Sequence, residues 1–395
     1  MMHPTKTISL FLASLALVSL ALAGCQSDLA TVADAAFSEP PRPPIEQPPV
    51  AEPPTVPPAP APEQAEPKPA CGADVQAKLK APGANAVSLD CSIRLSSADV
   101  VTHALVFEGA AASGSVLDCG GGTIDVSAGT SRKQKTAVVV RSSKAGSGAW
   151  SAPSNVTIRN CRINGFVRIY GLGENANGET MKASSLNANH TAFAQASAPK
   201  NVRLENVTFK APDGIPIYIG PGVTGAALVD SRIDGKSTSV AVYLDAESAN
   251  NTISNNVFGI STESRELIAI DGSANNRIAN NTFDHPENGG IFVYRNCGEG
   301  GVIRHQKPEF NQITGNTFRY GSAFLTQPAV WLNSRNGNRN YCSDEPASPF
   351  GSAASNLDFA RHNIVRDNKL VGGSESLIRN DDTTNDVGAN VATGG

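Results

Sequence analysis

The strongest constraint on this chain is a repeat. Four segments share one pattern: Val202-Arg-Leu-Glu-Asn-Val-Thr-Phe209, Asn251-Thr-Ile-Ser-Asn-Asn-Val-Phe258, Asn276-Arg-Ile-Ala-Asn-Asn-Thr-Phe283 and Asn311-Gln-Ile-Thr-Gly-Asn-Thr-Phe318. Weaker copies end at Ile163, Ile233 and Leu370. Five residues before the end of each copy stand Ile158, Leu204, Leu228, Ile253, Ile278, Ile313 and Val365, aliphatic every time. The ends at 209, 233, 258 and 283 are 24, 25 and 25 residues apart. A fixed period of this length marks stacked units that bury their apolar faces only against neighbours. Inside each unit apolar and polar residues alternate, the period of a strand and not of a helix.

Three short strands and three bends in each repeat of 24–25 residues predict an all-β fold, a single-stranded right-handed parallel β-helix. Asn recurs two residues before the anchor (Asn256, Asn281, Asn316, Asn368) and seven before it (Asn251, Asn276, Asn311, Asn363). Asn tolerates left-handed backbone angles at bends, and its amide can hydrogen-bond from coil to coil. Both columns are therefore read as structural. Asp74–Lys80 reads as a short helix capping the open end of the first coil, since a bare strand edge invites aggregation.

The N-terminus carries different information. Lys6 precedes an apolar run from Ile8 to Ala23, too short for an ordinary membrane span. Leu22-Ala23-Gly24-Cys25 resembles the lipobox of bacterial lipoproteins, which implies cleavage before Cys25 and acylation there. The domains then read as a signal peptide over 1–24, a linker over 25–70 and the β-helix over 71–395. Of the 26 prolines, 14 lie between Pro40 and Pro69, so the linker is a spacer reaching roughly 90 Å at about 3.1 Å per residue. With Gln26 after the cysteine, the expected location is the outer membrane of the bacterial envelope, by lipid anchor. The net charge of −4 gives no basic field, so a nucleic-acid partner has no electrostatic support.

Six cysteines remain, an even number that suits disulfides in an oxidising compartment. Of 15 connectivities, adjacent pairing is the one adopted: Cys71–Cys91, Cys119–Cys161 and Cys297–Cys342. Gly120-Gly-Gly122 is not a phosphate loop, because no Gly-Lys-Ser/Thr follows.

A site is expected where coils lengthen. Second strands at Val167–Tyr170, Ile217–Ile219, Val242–Leu244, Ile268–Ile270, Ile291–Tyr294 and Val330–Leu332 precede each return to the Asn column. Insertions at about 171–200, 295–310 and 333–362 directly follow this strand. Stacking in register sends all three out along one edge, with plain coils between the first and the others. The expectation is a walled groove. Its floor carries Asp245, Glu247 and Asp271, with Asp245 and Asp271 one coil of about 4.8 Å apart. Its wall carries Tyr294, Arg295, Arg304 and His305, and the outward aromatics Tyr218, Tyr243, Phe292 and Trp331 line the same face. Aromatic rings that stack on sugars beside charges that meet hydroxyls and carboxylates describe a saccharide site. Arg265-Glu266 also reads as an exposed turn pair, and His103, His190, His285 and His362 read as structural.

Over roughly residues 100–380 the coil pattern resembles the right-handed parallel β-helix, pectate-lyase-like superfamily, especially its carbohydrate-binding and sugar-hydrolase-type repeats. That resemblance implies polysaccharide lyase, uronan C5-epimerase or glycoside hydrolase chemistry. No Gly-His-Gly and no Asp-Pro-His-Asp occurs, so no family's catalytic residues transfer by motif. The leading expectation is a lyase or C5-epimerase acting on an acidic, uronate glycan. Arg295 and Arg304 would neutralise the carboxylate, and His305 or Tyr294 would move the proton. Asp245, Glu247 and Asp271 are alternatively Ca²⁺ ligands. A second reading pairs Asp245 with Asp271 as glycosidase carboxylates, where spacing sets the stereochemistry. A third is a non-catalytic binder of glycan or other envelope polymer. A monomer is expected.

Overall fold

The computed structural model describes residues 68–394 except 145, 147, 173–177, 322–325 and 338–344. The expected signal over 1–24, the lipidation site Cys25, all but the last three residues of the 25–70 linker, and Cys342 lie outside the described residues.

The chain winds as a parallel β-helix of three sheets. Sheet I runs from Val87–Ser88 to Ile378–Arg379, sheet II from Ile93–Arg94 to Asp386–Gly388 and sheet III from Val100–Val101 to Val391–Thr393. Successive coils add one parallel strand to each. The expected second strands form sheet I, including Phe166–Tyr170, Ile217–Ile219, Val242–Leu244, Ile268–Asp271, Ile291–Tyr294 and Val330–Leu332. Registers match the repeat: Ile253 pairs with Ile278 and Ile278 with Ile313 in sheet II, and Phe258 with Phe283 in sheet III.

The interior is a set of columns. Every anchor from Phe209 to Leu370 is buried, and Phe258, Phe283 and Phe318 stack with ring centroids 4.7 and 4.8 Å apart. Two Asn ladders run beside them. Asn251, Asn276, Asn311, Asn363 and Asn385 pass hydrogen bonds from Nδ2 to the next Oδ1 at 2.8–3.1 Å. Asn256, Asn281, Asn316, Asn368 and Asn390 do the same at 2.9–3.0 Å. The ladders are as expected, but the left-handed backbone angles sit one residue earlier, at Asn250, Asn255, Asn275 and Asn280. The reason is a division of labour: the exposed residue turns the chain, and its neighbour turns its amide inward.

Helix α1, Ala73–Lys80, buries Leu79 against the main core at the N-terminal end. Disulfides join Cys71 to Cys91 and Cys119 to Cys161, as expected. Cys297 is disulfide-bonded as well. Pairing starts slightly before Cys71, since Lys68 N donates to Gly114 O and Ala70 bridges to Ser92.

Candidate functional site

Side chains along sheet I alternate, so inward Ile217, Val242, Ile268, Ile291 and Val330 leave their successors facing out. The outward column reads Arg168, Tyr218, Tyr243, Ala269, Phe292, Trp331 and Arg379, each in register with the next. Ala269 is the one small residue in it. The space is filled by Tyr294, which clusters with Ala269 and Val240, with Tyr243 and Phe292 packed alongside. Tyr170 and Tyr218 lie 6.0 Å apart, Tyr218 and Tyr243 also 6.0 Å, and Phe292 meets Trp331 edge-on at 5.5 Å. Tyr243, Phe292 and Trp331 are half-buried.

Cations border this column. Arg379 is exposed and stands 4.8 Å from the Trp331 ring, and Arg335 stands 4.7 Å from Tyr294. Arg265 donates to Glu266 at 2.7 Å and to the Tyr294 hydroxyl at 2.8 Å. The Arg265-Glu266 pair is therefore a built contact and not a loose turn charge, with Glu266 buried. Arg168 is buried on Phe166, and burial pulls its pKa down to about 10.

At the end of the same strands the expected carboxylates come together. Arg304 Nη1 lies 3.0 Å from Asp245 and 2.6 Å from Asp271. Tyr218 donates its hydroxyl to Asp245 and Tyr243 donates to Asp271. Asp245 also accepts from Ala246 N at 2.8 Å, and Asp271 from the backbone and side-chain nitrogens of Asn296 at 2.8 and 2.9 Å. Asp271 is 0%, Asp245 3% and Arg304 6% exposed. Burial raises Asp245 above the usual carboxylate range while Arg304 opposes the shift. Burial works against the Arg304 cation, yet Asp271 and Asp245 hold its pKa well above the ordinary value. Burial, then the adjacent carboxylate, lifts Tyr218 and Tyr243 far above 10, so both remain neutral donors.

Glu247, expected beside them, faces elsewhere. It accepts from His305 N at 2.7 Å, from Gln306 N at 3.2 Å and from the Thr191 hydroxyl. His190 Nε2 lies 4.0 Å away. The three carboxylates expected as alternative Ca²⁺ ligands do not converge, and the position between Asp245 and Asp271 holds the Arg304 guanidinium. Arg295 is also displaced from its expected role. It is buried and donates to the carbonyls of Ser355 and Leu357 at 3.1 and 3.0 Å. His305 binds the Ser185 carbonyl through Nε2 at 2.7 Å and packs between His190 and Phe350. Tyr294 is wholly buried with its hydroxyl donating to Glu266 at 2.9 Å.

The walled groove is a correction too. The three insertions do leave the coils along one edge, but they close over the plain coils. The first contains helices α2, Glu179–Ser185, and α3, His190–Ser197. Leu172, Met181 and Ala194 from it form a small core with Val302 of the second, and Ile303 N donates to Ser185 Oγ at 3.0 Å. Gln195 reaches Gln306 at 3.1 Å, and Arg304 N donates to Ser352 Oγ of the third at 2.9 Å. A groove floored by Asp245 and Glu247 would leave those carboxylates short of donors; the insertions supply them. Residues that sequence reasoning missed here are Thr191, Gln306 and Asn296. The apolar pair Val302-Ile303 inside a polar insertion was the one signal available.

Fold and site together define a parallel β-helix with an aromatic outer face and a roofed carboxylate knot. Residues 134–348 match the family model described as "Periplasmic copper-binding protein (NosD)". That is more than half of the chain, and the chain belongs to this family. No curated protein matches it. Among solved structures it is similar to the surface protein and adhesin PfbA of Streptococcus pneumoniae, with 16% identity over 81% of this chain and 79% of that one, at a TM-score of 0.47. It is similar to an endo-xylogalacturonan hydrolase from Aspergillus tubingensis, with 13% identity over 78% and 80%, at 0.41. It is also similar to a mannuronan C-5 epimerase A-module from Azotobacter vinelandii, with 13% identity over 78% and 89%, at 0.28. No helix among the described residues is long and apolar enough to cross a membrane.

Proposed function

We propose that this protein is a polysaccharide-binding member of its family, held in the bacterial envelope, and that the glycan lies along the outer face of sheet I. The observation that carries this reading is the in-register outward column Tyr243, Phe292 and Trp331, half-buried and bordered by Arg265, Arg335 and Arg379. Phe292 and Trp331 on adjacent coils, with Tyr243 two coils before Phe292, offer sugar faces an apolar surface, and the exposed Arg379 guanidinium beside Trp331 suits a uronate carboxylate. Rigid rings on a rigid sheet lose little entropy on binding. The lipoprotein signal over 1–24, acylation at Cys25, the spacer over 25–70 and an outer-membrane tether belong to the same proposal, as does a monomeric state.

Binding is favoured over the lyase, C5-epimerase and hydrolase readings because both oxygens of Asp245, Asp271 and Glu247 already accept from protein donors and are closed to solvent. A general acid or base has to reach its proton, and these reach only neighbours. Copper, named in the family description, would require converging imidazole or sulfur donors. Among the described residues no three His, Cys, Asp or Glu groups converge, and His305 Nε2 is taken by a carbonyl, so the described residues do not fit that ion.

The test is calorimetric titration of oligogalacturonate, oligoalginate and neutral oligosaccharides into wild type and Trp331→Ala. The ultraviolet absorbance of unsaturated uronate products is followed in parallel. Binding that weakens in the variant without product supports the reading. Accumulating unsaturated product would return the lyase reading, and absence of binding to every glycan would sink both.

A further inference from the structure

Two buried histidines of this chain are held in different ways. His103 has both ring nitrogens bonded to carbonyls, Nδ1 to Asn85 O at 2.7 Å and Nε2 to Ala81 O at 3.0 Å. His190 is 0% exposed, yet its ring has one hydrogen bond, between Nδ1 and the Ser184 hydroxyl at 2.9 Å. Among the described residues its Nε2 has none, and Glu247 Oε1 stands 4.0 Å from that atom. A buried polar atom left without a partner costs about 1–3 kcal/mol. Such an atom in a folded protein calls for a role beyond fastening.

Ser184 lies in the last turn of α2 and His190 opens α3, so the short link between the helices sets the pair. Ser184 is half-buried and reachable from solvent, while His190 is closed off. Glu247 is fixed by the amides of His305 and Gln306 and by the Thr191 hydroxyl. Its negative charge draws the imidazole proton to Nε2, which leaves the Nδ1 lone pair to accept from Ser184 Oγ. Hydroxyl, imidazole and carboxylate in that order are what activates a serine as a nucleophile. Burial holds His190 below its ordinary 6.5, with His305 adding to the shift and Glu247 opposing it, so the ring is a neutral base at neutral pH. In the first turn of α3, His190 N and Phe193 N bond to the Asn187 and Asn189 carbonyls, and no side chain caps the turn. Uncapped amides at a helix start suit a developing oxyanion. Leu186, 50% exposed, and Phe193, 38% exposed, give the same two helices an apolar surface for an acyl group.

We infer that Ser184, His190 and Glu247 form a hydrolase site for small O-acyl esters, such as the O-acetyl groups of a sugar. The inference goes beyond glycan binding and uses none of the sheet I residues. Ser184 Oγ attacks the ester carbonyl as its proton passes to His190 Nδ1, and the alcohol leaves with that proton. Water then attacks the acyl-serine and gives its proton to His190, and Ser184 Oγ takes it back as the acid departs. Ester and water thus become alcohol and acid. Glu247 is a positioning residue, which orients the ring through Nε2–H and stabilises the imidazolium.

The experiment gives the full chain p-nitrophenyl acetate and an O-acetylated oligogalacturonate, and reads nitrophenolate and free acetate. Ser184→Ala is expected to abolish turnover, and His190→Gln to lower kcat/KM on the order of a hundredfold. Wild type treated with diisopropyl fluorophosphate should carry the phosphoryl adduct on Ser184 by peptide mass spectrometry, a result that needs no variant to fold. For wild type, kcat/KM should rise as pH rises through the folded value of His190, below 6.5, and then stay level to neutrality. Glu247→Gln should move that limb to lower pH, because the Glu247 charge raises the His190 value; a purely structural Glu247 would leave the limb in place. Turnover unchanged in Ser184→Ala at wild-type Tm, or a wild type with neither turnover nor adduct, overturns the inference. Ester turnover by a chain that binds no glycan keeps the inference and sinks only the glycan reading. Glycan binding without turnover or adduct does the reverse.

Discussion

Replacing Arg304 with Met would leave Asp245 and Asp271 as two buried carboxylates facing one position with no cation between them. Arg304 is 6% exposed and lies within 3.0 Å of both, so solvent does not replace it. Breaking a buried ion pair by removing one partner costs about 3–5 kcal/mol. With an unfolding entropy of roughly 2.1 cal/mol/K per residue over about 330 residues, that corresponds to a fall in Tm of about 4–7 °C. The assay is scanning calorimetry of wild type, Arg304→Met and the triple variant that adds Asp245→Asn and Asp271→Asn. The triple variant should recover much of the loss, because neutral amides need no counterion. The pH dependence has a definite sign. Asp245 already has a folded pKa above its ordinary 3.8, and removing Arg304, which opposes that rise, moves it further up. A carboxyl with a raised folded pKa favours folding below the unfolded value and loses that contribution as pH rises through the folded value. Arg304→Met should therefore be closest to wild type near pH 4 and furthest from it near neutrality. An Arg304→Met protein melting within a degree of wild type at pH 7, or a triple variant no better than the single, would refute the account of the knot.

Three further outcomes follow from other contacts. Asn281→Ala removes a rung whose amide serves Asn256, Asn316 and the Ile253 carbonyl, and should cost about 2–3 kcal/mol, whereas Asn280→Gly at φ 57° should cost under about 1, both read by chemical denaturation. Cys71→Ser/Cys91→Ser and Cys119→Ser/Cys161→Ser close loops of 20 and 42 residues in the wild type, so the losses should be about 3 and about 4 kcal/mol, with the longer loop more costly. Burial holds the buried His190 below its ordinary 6.5 despite Glu247 nearby, so its contribution is present above pH 6.5 and lost as pH falls through the folded value. The decline in Tm between pH 7 and 5 should flatten in His190→Gln, and an unchanged slope would remove His190 from that role.

The winding was legible in the sequence because it is set locally. Ile253, Ile278 and Ile313 recur at one point in the coil, and a parallel ladder then forces them into register. The same logic placed Asp245 beside Asp271 and aligned Tyr218 with Tyr243, since each pair is one coil apart. What could not be read was how far the insertions fold back. Roofing by Thr191, Ser185 and Gln306 depends on two short helices and on hydrogen bonds across more than 50 residues, which no period encodes. The carboxylates expected in a groove are instead buried and hydrogen-bonded to the insertions and to neighbouring coils. The Asn columns were read correctly as ladders but credited with bends made by the residues before them.

The glycan face itself is most directly tested by the fluorescence of Trp331. The chain has two tryptophans, Trp150 and Trp331, so Trp150→Phe leaves Trp331 as the sole reporter on the face. Titrating acidic oligosaccharides into that variant should shift Trp331 emission saturably, and Arg379→Gln, which removes the cation 4.8 Å from its ring, should weaken the response. Emission that stays constant while calorimetry records saturable binding would place the glycan elsewhere and contradict the account.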